Sequence, residues 1–125
     1  MPVERLVITP AVVERDAVLA LAGELDLGGE AVLARAVSKV LDAGYRRVVL
    51  DCADISFCDS RGFNALLTAR QATHEADGVL ALAAVPERLQ HLLTLVGAEE
   101  IFTLASTVEH ARLLLAAADR QAEPT

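Results

Sequence analysis

At 125 residues, with 54% hydrophobic but only 3% aromatic side chains, the chain has the length of one domain and must build its core from aliphatic residues. A net charge of −7, with the basic residues scattered along the chain, excludes the electrostatic footprint of a direct nucleic-acid binder. No apolar run approaches the roughly 20 residues needed to cross a bilayer, and no basic segment leads into an apolar signal core, so no membrane insertion and cytoplasmic residence are expected.

Taken in chain order, the first strand-like run is Leu6-Val7-Ile8-Thr9, which Pro10 either ends or confines to a sheet edge. A polar turn at Glu14-Arg15-Asp16 separates it from a second run, Ala17 to Ala22, so the two predict an antiparallel hairpin. Three glycines and two acids in Gly23-Glu24-Leu25-Asp26-Leu27-Gly28-Gly29 then mark a loop carrying Asp26 and opening into a helix. From Glu30 to Asp42, apolar residues at Ala31, Val32, Leu33, Ala36, Val37, Val40 and Leu41 recur at helical spacing, and Gly44 is placed to cap the C-terminus.

The run Val48-Val49-Leu50-Asp51 is hydrophobic enough for a central strand covered on both faces. It gives way to a polar turn and then to helix-spaced residues after Gly62 (Phe63, Leu66, Leu67, Ala69, Ala72), the helix ending near Asp77-Gly78. Val79 to Val85 predicts another strand. Pro86 opens a helix striped by Leu89, Leu92, Leu93 and Val96 and stopped at Gly97. Ile101 to Leu104 reads as a short strand, and Ser106 or Thr107 caps a last helix containing Val108, Ala111, Leu114 and Leu115. Residues 1–120 form the domain, and 121–125 a polar, frayed tail. The order is β-β-α-β-α-β-α-β-α: an α/β domain with a mixed, mostly parallel sheet packed against helices in a single layer pair. Leu50, Phe57, Leu66, Leu67, Leu82 and Leu93 are the expected core.

The strand–turn–helix around Asp59 is the most function-like feature. Asp59 and Ser60 both have short side chains suited to capping the unpaired N–H groups of a helix, and Gly62 removes bulk from the first turn. Such a helix N-terminus, at the positive end of its dipole, suits an anion or a partner's acidic or polar group. The stretch also resembles the signature of STAS-domain proteins, the anti-sigma factor antagonists and their relatives. Their pattern runs Leu-Asp-Leu-Ser-x-Val-x-Phe-Ile-Asp-Ser-Ser-Gly-Leu-x-x-Leu-Leu, and Leu50, Asp51, Phe57, Asp59, Ser60, Gly62, Leu66 and Leu67 stand at matching positions. Gly23-Glu24-Leu25-Asp26 is similar to the family's Gly-Glu-Leu-Asp turn, and Pro86, Leu93, Gly97 and Phe102 are spaced like its later Pro, Leu, Gly and Phe. The second serine of the family motif, the position its kinases phosphorylate, is Arg61 here.

The resemblance implies a STAS-like domain whose loops dock a partner. It makes Asp26, Asp59, Ser60, Arg61, Gly62 and Phe63 the candidate partner-binding residues, the partner being an anti-sigma factor of the histidine-kinase-like ATPase type. Ser60 is then the one hydroxyl left in the Asp-Ser-Arg-Gly turn for phosphorylation. Each carboxylate has a plain alternative, Asp59 as an N-cap and Asp26 as a turn residue, and the plain alternative for Arg61 is a solvated side chain on the first helical turn. The rival function is a STAS subunit of a stress-signalling scaffold or of a lipid or anion transporter.

Catalysis is not expected. Ser60 lacks the glycine two residues before it that a nucleophile elbow has, Cys58 standing there instead. His74, His91 and His110 fall on separate helical stretches without a His-Glu-x-x-His, and no phosphate loop occurs, so neither metal nor cofactor is expected. Cys52, near a strand end, and Cys58, in the loop, match no zinc or redox spacing and are read as reduced, partly buried thiols.

Overall fold

The computed structural model describes residues 5–122. The elements are β1 (Leu6–Val13), β2 (Asp16–Leu25), α1 (Leu27–Asp42), β3 (Arg47–Cys58), α2 (Ser60–Glu75), β4 (Val79–Ala83), α3 (Glu87–Leu95), a 3-10 turn (Ala98–Glu100), β5 (Thr103–Ala105) and α4 (Val108–Ala122). The expected α/β order is therefore present, with the 3-10 turn added. Helix α4 runs two residues past the expected domain end, and residues 123–125 lie outside the described residues.

One sheet carries the strands in the order β1-β2-β3-β4-β5. β1 pairs with β2 antiparallel and every later neighbour is parallel, so β3 is central as its hydrophobicity predicted. Pro10 lies within β1 on the sheet edge, where a missing N–H costs no ladder bond. Gly44, at φ +100°, turns the chain out of α1 as expected.

The sheet is covered on both faces, which corrects the expectation of a single layer pair. Because the strands advance in one direction, right-handed crossovers put α1, α2 and α3 on the same face. There Leu19, Leu21, Leu33, Val37, Leu50, Leu66, Leu82, Leu89 and Leu93 form the main core. Helix α4 follows the last strand and returns over the opposite face, where Ala111 and Leu115 close on Val18, Val49, Ala81, Ala83 and Ala105. Alternation along β3 sends Val48 and Leu50 to one core and Val49 to the other.

Helix α4 is also pinned by charge. The Asp16 carboxylate, 1% exposed, accepts from Arg47 Nε at 2.6 Å and from Arg112 Nε at 2.7 Å, joining β2, β3 and α4. Glu109 and Glu14 flank Arg112, and Asp119 lies 4.0 Å from Arg47.

Leu50, Leu66, Leu82 and Leu93 are fully buried, as expected, and Leu67 is half-buried against the core. Phe57 is not core: it is 47% exposed. β3 continues to Cys58 where a turn was expected after Asp51, but its pairing with β4 stops at Asp51. The overhang pairs only with β2, and in irregular register: β3 has one extra residue between Asp51 and Asp54 and another between Ile55 and Phe57. These bulges break the alternation and leave Phe57 on the uncovered side. Val96, expected on the apolar stripe of α3, is likewise 52% exposed.

Candidate partner-binding site

β2 and β3 end in register, Leu25 opposite Cys58, so Asp26 and Asp59 follow at the carboxyl edge of two adjacent parallel strands. Each becomes an N-cap. The Asp26 backbone is extended (φ −133°), and its Oδ1 accepts from Gly28 N at 3.1 Å at the start of α1. Asp59 (φ −108°) accepts through Oδ1 from the backbone N–H of both Arg61 and Gly62 at 3.0 Å, and its carbonyl accepts from Phe63 N at 2.9 Å. Two carboxylates thus face two parallel helix dipoles, the arrangement in which their negative charge is best tolerated.

The first turn of α2 crosses directly over the end of β2. A Cβ on Gly62 would stand 1.9 Å from the Leu25 carbonyl oxygen and 2.9 Å from Cys58 Sγ, so only glycine permits this approach. The edge that carries the two caps and the packing of α2 on β2 are fixed by the same residue.

A cleft of about 350 Å³ opens between the two caps, lined by Arg5, Asp26, Leu27, Gly28, Asp59 and Arg61. Arg5 Nη1 lies 3.5 Å from Asp26 Oδ2 and 3.3 Å from Glu24 Oε2, an exposed and weakly held contact. Among the described residues Asp59 Oδ2 has no partner, and the exposed Arg61 guanidinium makes no ion pair. Of the six sequence-selected residues, then, Asp26, Asp59 and Arg61 meet around one cleft. Ser60 is exposed beside them as the first residue of α2. Gly62 is buried beneath them. Phe63 turns inward, half-buried, its ring edge-on to Phe102 at 6.4 Å between centroids.

Sequence reasoning missed Arg5 and Leu27. Arg5 reaches the cleft only because the hairpin register brings its carbonyl to Glu24 N, and Leu27, 58% exposed, opens α1 instead of lying in the glycine-rich loop. Beyond the cleft, exposed Phe57 faces the start of α3 across a second depression of about 330 Å³ lined by Cys58, Pro86, Glu87 and Arg88.

The thiols are free. Cys58 is the last residue of β3 rather than part of a loop. Burial pushes Cys52 up to about 12, with the Asp51 charge adding to it, and pushes Cys58 up to about 11, with Asp59 adding. Both are neutral at physiological pH and poor nucleophiles or metal ligands. No group of three or more potential metal ligands occurs among the described residues. His74, His91 and His110 are all exposed, on α2, α3 and α4.

A profile of the STAS domain matches residues 8–111. The chain belongs to the STAS domain family. No curated protein matches it in sequence. Among solved structures it resembles an anti-sigma factor antagonist from Mycobacterium paratuberculosis (TM-score 0.79, 18% identity, covering 90% of this chain and 96% of that one). It also resembles unphosphorylated SpoIIAA, an anti-sigma factor antagonist and Bacillus cell fate determinant (0.69, 20%, 92% and 96%). A sulfate transporter family protein from Wolinella succinogenes is similar as well (0.72, 20%, 91% and 93%). The STAS fold is thus shared here with antagonists and with a transporter-family protein alike. No helix among the described residues is long and apolar enough to cross a membrane.

Proposed function

We propose that this STAS domain is a non-enzymatic anti-sigma factor antagonist that docks a kinase-type anti-sigma factor and thereby frees a sigma factor for transcription. The observation that supports it is the pairing of Asp26 and Asp59 as caps of adjacent helices, with the exposed Arg61 guanidinium on the same cleft. Such an edge offers a partner both acceptor oxygens and a forked donor, held on rigid elements. SpoIIAA has a structure in a phosphorylated form, and the family's acceptor position falls on Arg61, which cannot take phosphate. A phosphate would put about −1.5 to −2 charges beside Asp59, whereas Arg61 holds a permanent positive charge there. The chain is accordingly competent to bind at all times, with Ser60 as the only hydroxyl in the Asp-Ser-Arg-Gly turn that a kinase could reach by shifting register.

The similarity to a transporter-family protein favours one second reading, a STAS subunit attached to an anion or lipid transporter. Co-purification of the tagged protein from its native host separates the two. Recovery of an ATPase-type anti-sigma factor supports the antagonist. Recovery of a membrane transporter without any sigma-regulatory protein overturns it.

A further inference from the structure

We infer that the chain self-associates head to tail, an acidic, apolar ridge beside β5 of one copy seating in a basic-rimmed groove along β1 of the next. The groove, about 620 Å³, arises because α1 is the outermost helix on its face and β1 the outermost strand. Its apolar walls include Ile8 and Pro10 from β1 and Val32, Ala36 and Val40 from α1. Arg35 and Lys39, both exposed, stand on its α1 rim four residues apart, with Asp42 and Tyr45 at one end. Like charges at that spacing repel each other, and neither cation has an ion pair among the described residues, although the chain carries a net −7. An acidic partner would relieve the repulsion.

The chain displays such a partner at the other edge of its own sheet. Around Gly97, between α3 and β5, Leu95 (69% exposed), Val96 (52%) and Ile101 (45%) project to solvent together with the exposed Glu99 and Glu100. Single exposed apolar side chains are ordinary, but three within seven residues flanked by two carboxylates match the groove in both polarity and charge. Because β1 and β5 are opposite edges of one sheet, ridge and groove cannot meet within a molecule, and their pairing between molecules is heterologous, giving an open chain or a ring. Direct extension of the sheet is blocked. The Arg5 carbonyl accepts from Glu24 N, so odd-numbered β1 residues bond to β2, and Pro10 faces outward with no N–H to offer a new strand. Contact must run through side chains, and so small a patch places the interface in the weak class.

Sedimentation equilibrium of the full chain up to about 1 mM tests this. The expected result is a weight-average mass rising above 13.2 kDa with concentration and falling back as salt is added. Glu99→Lys with Glu100→Lys, and separately Arg35→Glu with Lys39→Glu, should each weaken association at least tenfold, and mixing the two reversed proteins should restore it. Ile101→Glu should act like the first pair, with circular dichroism confirming the fold. A monomer mass throughout, association indifferent to the reversals, or a mixture that fails to recover would overturn the inference.

Discussion

Replacing Gly62 by Ala sets two effects of opposite sign against each other. On propensity alone, Ala in a helix is favoured over Gly by about 1 kcal/mol, so an unhindered site would gain stability. Here the added Cβ lies 1.9 Å from the Leu25 carbonyl oxygen, where ordinary contact begins near 3.4 Å. Leu25 is fully buried and the obstacle is backbone, so no rotamer change relieves it. The first turn of α2 must retreat by an ångström or more, and the 3.0 Å bonds from Arg61 N and Gly62 N to Asp59 stretch beyond hydrogen-bond range. Overpacking costs about 1–3 kcal/mol and the lost cap about 0.5–2, which less the propensity gain of about 1 leaves a net destabilisation of about 0.5–4 kcal/mol. In urea melts that is a midpoint lowered by up to roughly 2 M, with loss of partner binding because Asp59 no longer lines up with Asp26. A midpoint at or above that of the wild type, with binding intact, would refute the reasoning.

Asp16→Ala should cost about 3–5 kcal/mol, since it leaves the Arg47 and Arg112 guanidinium groups partly buried without their shared acceptor; hydrogen exchange should show α4 losing protection first, and a loss under about 1 kcal/mol would mean the cluster is not holding that helix. Native Cys52 should resist thiol reagents at pH 8 and react only on unfolding. Because the folded thiols titrate at about 12 and about 11 against the ordinary 9.0, the unfolded chain loses protons first, so stability should fall between about pH 9 and 12, less steeply in Cys52→Ala; a flat profile there would contradict their burial. With a cognate anti-sigma kinase and ATP, phosphate located by mass spectrometry should appear in Arg61→Ser and not in the wild type, whereas stoichiometric phosphate on wild-type Ser60 with loss of binding would rule out constitutive competence.

Local rules carried the sequence reading where one element decides its own fate. The helix caps at Asp59 and Thr107, the turn at Gly44 and the central position of Val48–Leu50 all follow from side chains acting within a few residues of themselves. Non-local partners defeated it. Asp16 looks like a turn residue until Arg47 and Arg112, 31 and 96 residues away, close on it. Phe57 fits a core pattern until two bulges and the short β4 leave it outside. The second layer under α4 was foreshadowed by the unbroken hydrophobicity of Val48-Val49-Leu50, whose middle residue needs a core of its own. Within the site, Asp26 and Asp59 were individually legible, but their adjacency rests on the parallel register of β2 and β3, and Arg5 joins them only through the hairpin.

Asparagine separates recognition of a partner by the paired carboxylates from their helix capping, because it caps as well as aspartate but carries no charge. Calorimetric titration of the cognate kinase-type anti-sigma factor into wild type, the Asp26→Asn/Asp59→Asn double variant and Arg15→Ala, at the far end of the sheet, measures this directly. The expected result is tight binding by the wild type and Arg15→Ala, and at least tenfold weaker binding by the double variant at unchanged melting temperature. Equal affinity of all three proteins, or no binding by the wild type, would contradict it.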